Sequence, residues 1–138
     1  DDQVIVYNGI SNSTVQKGYN NVDLSLVNMN GFGSLISAKN AGSIIVGSNS
    51  KDIIFGGGGN DTITGGGGDD IIYGSDGLDT AIYSANYSNY FITPEDEEGK
   101  MIITDNRIGI NDGSDSVYGV EYFEFNDLIV IPEILGLI

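Results

Sequence analysis

Gly56-Gly57-Gly58-Gly59-Asn60-Asp61-Thr62-Ile63-Thr64 is followed without a gap by Gly65-Gly66-Gly67-Gly68-Asp69-Asp70-Ile71-Ile72-Tyr73. Both runs place glycine at positions one, two and four, aspartate at six and isoleucine at eight of a nine-residue unit. The eighth position recurs in both directions as Val27, Ile36, Ile45, Ile54, Ile63, Ile72 and Ala81, and the sixth is aspartate at Asp52, Asp61, Asp70 and Asp79. Glycine-rich polar tracts are ordinarily flexible linkers. Phased aliphatic and acidic positions have no role in a linker, so the period predicts a repeat architecture.

Each unit divides into a six-residue turn and a three-residue strand. Side chains alternate faces along a strand, so the eighth position is expected to point inward and the seventh and ninth outward. Two units, eighteen residues, make one coil. Equivalent turns then stack at every second repeat, about 4.8 Å apart, as parallel strands do.

The nonapeptide G-G-x-G-x-D-x-U-x resembles the calcium-binding repeat of RTX proteins. On that resemblance the fold is expected to be all-β: a calcium-bound parallel β-roll, a right-handed solenoid, with a C-terminal β-rich cap. Calcium takes about six to eight oxygen ligands in tolerant geometry. The turn would supply backbone carbonyls from its early positions and one carboxylate from its sixth. Glycine at positions one, two and four is expected to let the backbone adopt positive φ and aim those carbonyls.

An ion bridging stacked turns pairs repeat n with n+2, so Asp52 is expected to share one ion with Asp70, and Asp61 another with Asp79. The candidate ligands are Gly47, Asn49 and Asp52; Gly56, Gly57, Gly58, Gly59 and Asp61; Gly65, Gly66, Gly67, Gly68 and Asp70; and Gly74, Asp76 and Asp79. The outer turns depart from the motif, with Ser48 and Ser50 replacing glycine in one and Ser75 in the other. Asp69 and Asp76 stand at variable positions, where a solvated carboxylate is the ordinary outcome. Two inward aliphatic residues per coil make a thin core, and stacked carboxylates repel one another without a cation. The ion is therefore expected to be needed for folding.

The frame extends backward through residues 20–28, 29–37 and 38–46, with Val27, Ile36 and Ile45 inward but Ser25, Ser34 and Ser43 at the sixth positions. The roll is thus read as 20–82, with ion-free coils over 20–46 and calcium-binding repeats over 47–82. Residues 1–19, with Val4, Ile5, Val6 and Tyr7, are expected to form an N-terminal strand or lid. Residues 83–138 form the cap and carry the expected secretion signal. In the cap, strands are expected over Tyr90–Thr93, Met101–Thr104 and Val120–Phe125. Leu35, Ile53, Phe55, Ile71 and Tyr73 fall on one outward face, and an apolar face of that size is expected to be covered by the aromatic C-terminal segment or the N-terminal strand.

With 20 acidic and 5 basic residues the chain carries a net charge of −15, which opposes nucleic acid and anionic lipid and favours cations. Eleven of the acids follow Ala81, and the run Glu95-Asp96-Glu97-Glu98 reads as a solvated turn. Cysteine and histidine are both absent. No disulfide or thiolate chemistry is available, and the commonest general base and transition-metal ligand is missing. No apolar run approaches the roughly 18 residues of a membrane span. The chain starts at Asp1 without a leader, and is read as a piece of a longer protein and as a monomer.

From about residue 38 to the C-terminus the chain resembles RTX proteins exported by bacterial type I secretion systems. Asp79-Thr80-Ala81-Ile82-Tyr83-Ser84, Tyr90-Phe91-Ile92-Thr93, Ile103-Thr104-Asp105, and Gly113-Ser114-Asp115-Ser116 leading into Val120-Glu121-Tyr122-Phe123-Glu124-Phe125 resemble the capping segment that follows such repeats. The resemblance implies a domain unfolded in calcium-poor cytosol that leaves the cell C-terminus first and folds outside. It places the uncleaved export signal at about Asp127–Ile138. No catalytic motif of RTX proteases or lipases is present, and no enzyme activity is expected. A secretion and folding module at the end of a surface adhesin is the expected function, with the noncatalytic tail of a secreted enzyme as the alternative. Ice binding needs a regular outward threonine ladder, and Thr62, Thr64 and Thr80 do not make one.

Overall fold

The computed structural model describes residues 33–38, 42–109 and 111–138, together with the backbone of three N-terminal strands, β1 (Gln3–Asn8), β2 (Ser13–Lys17) and β3 (Asn21–Asp23). The repeat region follows as β4 (Ser34–Ser37), β5 (Ile44–Val46), β6 (Ile53–Gly58), β7 (Thr62–Thr64), β8 (Ile71–Asp76) and β9 (Thr80–Ile82). Beyond it lie β10 (Tyr90–Ile92), β11 (Lys100–Asp105), β12 (Ser114–Tyr118), β13 (Tyr122–Glu124) and β14 (Ile129–Val130). The described residues contain no α-helix, and none long and apolar enough to cross a membrane.

Successive repeat strands go alternately to two sheets. One sheet runs β10-β11-β12-β8-β6-β4-β1-β2 and the other β14-β13-β9-β7-β5-β3. Pairing within the repeats is parallel and eighteen residues out of phase, with Ile54 beside Ile72, Ile45 beside Ile63 and Ile63 beside Ala81. This is the expected β-roll. Ile36, Ile45, Ile54, Ile63, Ile72 and Ala81 are all buried between the sheets. Their flanking residues point outward because the strand period is two.

The frame does not hold at its N-terminal end. Val22, not Val27, lies in register with Ile45; Val27 and Ser25 fall outside the described residues. The strand expected near Val4 is β1, which pairs antiparallel with β2 and with β4. A hairpin therefore ends this sheet in place of another parallel coil, with β2 as its edge strand.

The C-terminal segment also corrects an expectation. It does not lie across the outward apolar face but rejoins both sheets, β12 pairing parallel with β8 and β13 with β9. Phe55 and Tyr73 stack with centroids 4.8 Å apart, and Tyr118 of β12 extends the stack by 4.7 Å. The face is thus stabilised along the sheet, each half-buried ring covering the next. Other aromatic residues turn inward. Tyr83, Tyr90, Phe123 and Phe125 are buried at the roll's end, with Phe125 5.4 Å from Tyr83 and 4.9 Å from Tyr90. Strands β10, β11 and β13 fall where expected. β12 was not foreseen, since Ser-Asp-Ser-Val-Tyr reads as a turn.

Candidate metal centre

Sixth-position side chains would face solvent on an isolated turn, yet Asp52, Asp61, Asp70 and Asp79 are all at most 1% exposed. What holds them is the stacking of coils. The N–H of Asp52 donates to Asp70 Oδ1 at 2.8 Å, and that of Asp61 to Asp79 Oδ1 at 2.8 Å. The sixth-position serines begin the two ladders, Ser34 N–H donating to Asp52 Oδ1 at 2.6 Å and Ser43 N–H to Asp61 Oδ1 at 2.7 Å. One oxygen of every aspartate is therefore spent on the backbone of the coil before it.

The second oxygen differs. Oδ2 of Asp61, Asp70 and Asp79 is buried with no hydrogen-bond partner. A buried carboxylate oxygen with no donor is costly, and three on stacked turns suit a cation. Among the described residues no three carboxylates converge on one point. An ion here must draw most of its ligands from turn carbonyls, which is the hard-oxygen chemistry calcium accepts. The residues present fit the ion.

Asp52 is the exception, because its Oδ2 accepts the Ser48 N–H at 2.7 Å and the Ser48 hydroxyl at 3.0 Å. Ser48, where the motif has glycine, supplies donors to this carboxylate that the other turns lack.

The glycines act by two means, where positive φ alone was expected. Positions two and four take the left-handed region in the turns of Asp61 and Asp70, where Gly57 has φ 95°, Gly59 94°, Gly66 101° and Gly68 98°, and in that of Asp79, where Ser75 adopts 77° at the second position. Position one does not. Gly47, Gly56, Gly65 and Gly74 are required by space, since a Cβ would come within 2.7 Å of Asp52 Oδ2 at Gly47, 2.5 Å of Asp61 Oδ2 at Gly56 and 2.6 Å of Asp79 Oδ2 at Gly74, and would collide with Asp70 Oδ2 at Gly65. Gly58 and Gly67 are third-position residues, Gly58 within β6 and Gly67 beside the Asn49 carbonyl. Asn49 and Asp76 are exposed. Asp69, expected to be solvated, is exposed but accepts the Ser114 N–H at 2.9 Å.

Without a cation the carboxylates resist ionisation. Burial pushes Asp70 up to about 9, with the charge of Asp115 adding to it. Burial likewise raises Asp115 to about 8 and Asp61 to about 6, the latter opposed by the Ser43 N–H and helped by Asp79. Asp79 is raised by burial and by Glu121. A cation would reverse each of these shifts.

Two acids outside the repeats join the ladders and were not foreseen. Asp115 Oδ1 accepts the Asp70 N–H at 2.9 Å, and Glu121 Oε2 accepts the Asp79 N–H at 2.8 Å. One signal was present: Gly113, Asp115 and Val117 keep the spacing of positions four, six and eight.

In comparison with known proteins, residues 46–81 match the family model of the RTX calcium-binding nonapeptide repeat, in four copies. No curated protein and no solved structure matches the chain.

Proposed function

We propose that this chain, whose residues 46–81 form an array of RTX calcium-binding nonapeptide repeats, is a calcium-dependent folding module of a bacterial protein exported by a type I system and folded outside the cell. The observation that carries this reading is the set of buried, partnerless oxygens on Asp61, Asp70 and Asp79. Asp52, Asp61, Asp70 and Asp79, with the carbonyls of their turns, would hold the ions. When bound, calcium supplies charge neutralisation at the stacked carboxylates. The chain's own part is to keep one oxygen of each aspartate on the backbone ladder and to leave the other, on Asp61, Asp70 and Asp79, for the ion.

Such a device converts an ion gradient into a folding direction. Sites near the ~10⁻⁴ M affinity of extracellular calcium modules stay empty where calcium is scarce. Outside, each site adds about 1.4 kcal/mol at tenfold excess calcium. Several sites acting on one thin core make folding steep in calcium.

The test is circular dichroism in chelator, then with calcium and with equal magnesium. A coil spectrum that becomes β with calcium but not with magnesium is expected, because magnesium demands near-octahedral, partly hydrated sites. A β spectrum in chelator at neutral pH overturns the reading. We further place the module at the end of a surface adhesin, with the export address near the C-terminus. Long adhesin repeats upstream of Asp1 support that placement, and a catalytic domain there defeats it.

A further inference from the structure

The nine-residue period ends at Ala81, yet the backbone of the roll completes another coil. β12 lies parallel to β8 with Val117 beside Ile72. The Ser116 N–H donates to the Asp70 carbonyl at 2.8 Å, as the Ile71 N–H does to the Asp52 carbonyl at 2.9 Å one coil earlier. Gly113 has φ 87° and Gly68 has φ 98°, and each lies against the backbone of the coil beneath it. From its fourth position into its strand, the turn ending at Asp115 therefore repeats, over the turn ending at Asp70, the stacking that the nonapeptides impose on one another, although Asn111 at its second position does not take positive φ.

We infer that these two turns, ending at Asp70 and Asp115, enclose a further calcium site lying outside the four sequence repeats. The inference rests on reading the repeats as calcium sites. It is carried by two observations beyond the pairing of acids. Asp70 Oδ2 is fully buried without a partner, and the Tyr83 hydroxyl, on a side chain 3% exposed, is enclosed beside Asp115. No basic side chain among the described residues neutralises the pair, because Arg107 is held by Asp105 and Asp112, Lys100 by Asp96, and Lys51 is exposed and makes no ion pair.

The other ladder supplies a contrast. Glu121 also accepts a sixth-position N–H, but only five residues separate it from Asp115, against eight between successive aspartates of the repeat. Its turn is too short to repeat the carbonyl cradle, and its longer side chain makes up the reach. Glu121 therefore continues the hydrogen bonds without continuing the site.

Crystals of the chain grown in calcium, or with a lanthanide in its place, decide the matter through anomalous difference maps. A peak is expected about 2.3–2.6 Å from a carboxylate oxygen of Asp115 and from carbonyls of the turn beneath it, with none at Glu121. In Asp115→Asn that peak alone should vanish. Peaks within residues 47–79 and none touching Asp115 overturn this site while leaving the function of the repeats intact. No peaks anywhere overturn both. The wild-type map suffices if the variant does not fold.

Discussion

The Asp52 N–H and Asp70 Oδ1 meet at 2.8 Å across one eighteen-residue coil, while Asp70 Oδ2 meets nothing. Asp61, Asp70 and Asp79 thus divide their work between backbone and cation, and substitution can separate the two roles. Asp70→Asn keeps an acceptor for Asp52 but loses the charge. It should fold no worse than wild type in chelator at neutral pH, and should need several-fold more calcium. Asp70→Ala also leaves a buried N–H unpaired, which costs about 1–3 kcal/mol more. Equal calcium-loaded melting temperatures for the two variants would refute the division.

The carboxylates set the pH dependence of the ion-free chain. Asp61, Asp70 and Asp115 lie at about 6, 9 and 8 when folded, above the unfolded aspartate value of about 3.9. Groups raised on folding contribute stability that is present below the unfolded value and lost as pH rises through the folded ones. In chelator the β signal should therefore be stronger at pH 5 than at pH 8. Calcium should restore it at pH 8. The net charge of −15 acts in the same direction, so the same comparison on Asp70→Asn, which removes one raised group, is the decisive readout. A difference between pH 5 and pH 8 left unchanged in that variant would show that the buried acids do not set it.

The glycine positions differ in what they forbid. Gly65→Ala drives a methyl into Asp70 Oδ2, whereas a Cβ at Gly67 meets nothing nearer than 3.5 Å. Gly65→Ala should abolish the calcium response. Gly67→Ala should shift the calcium midpoint less than about twofold. Equal effects would mean that glycine is needed throughout for flexibility and not for space.

How far the sequence could be read follows from what repeats. The register of Ile54 beside Ile72 was legible because a nine-residue period fixes both the coil length and the inward face. Ser48 was legible only as a missing glycine; that its hydroxyl and N–H satisfy Asp52 needed coordinates. Asp115 was hidden by distance. It stands 45 residues after its partner Asp70 where repeat partners stand 18 apart, because the β10–β11 hairpin is inserted between them. Val22 took the place assigned to Val27 because no glycine turn or aspartate pins the frame so far upstream. A period alone, without its turn chemistry, does not fix register.

Tyr73 is the middle ring of the Phe55–Tyr73–Tyr118 stack and makes two of its contacts, where each neighbour makes one. At about 0.5–1.5 kcal/mol per aromatic pair, Tyr73→Ser should destabilise the calcium-loaded roll more than Phe55→Ser or Tyr118→Ser. Urea unfolding in saturating calcium measures the difference. An equal loss at all three positions would mean that burial and not stacking holds this face.

The final residues lie against the roll's end and contact none of the repeat aspartates by hydrogen bond. Ile134, Leu135 and Ile138 are 75%, 53% and 59% exposed, and the Leu137 carbonyl accepts the Glu95 N–H at 2.6 Å. Removing 132–138 takes away that one link to the loop after β10 and the buried Pro132, so a fall of a few degrees in melting temperature is expected. The calcium midpoint should hold within twofold, because both ladders end at Asp115 and Glu121, upstream of the cut. Export of the truncated chain by a type I system, followed by its appearance in the medium, is the second measurement. Export lost with calcium-induced folding retained assigns these residues to the address. Folding lost assigns them to the cap, since exposed aliphatic side chains that only signal can be removed without disturbing the coils behind them.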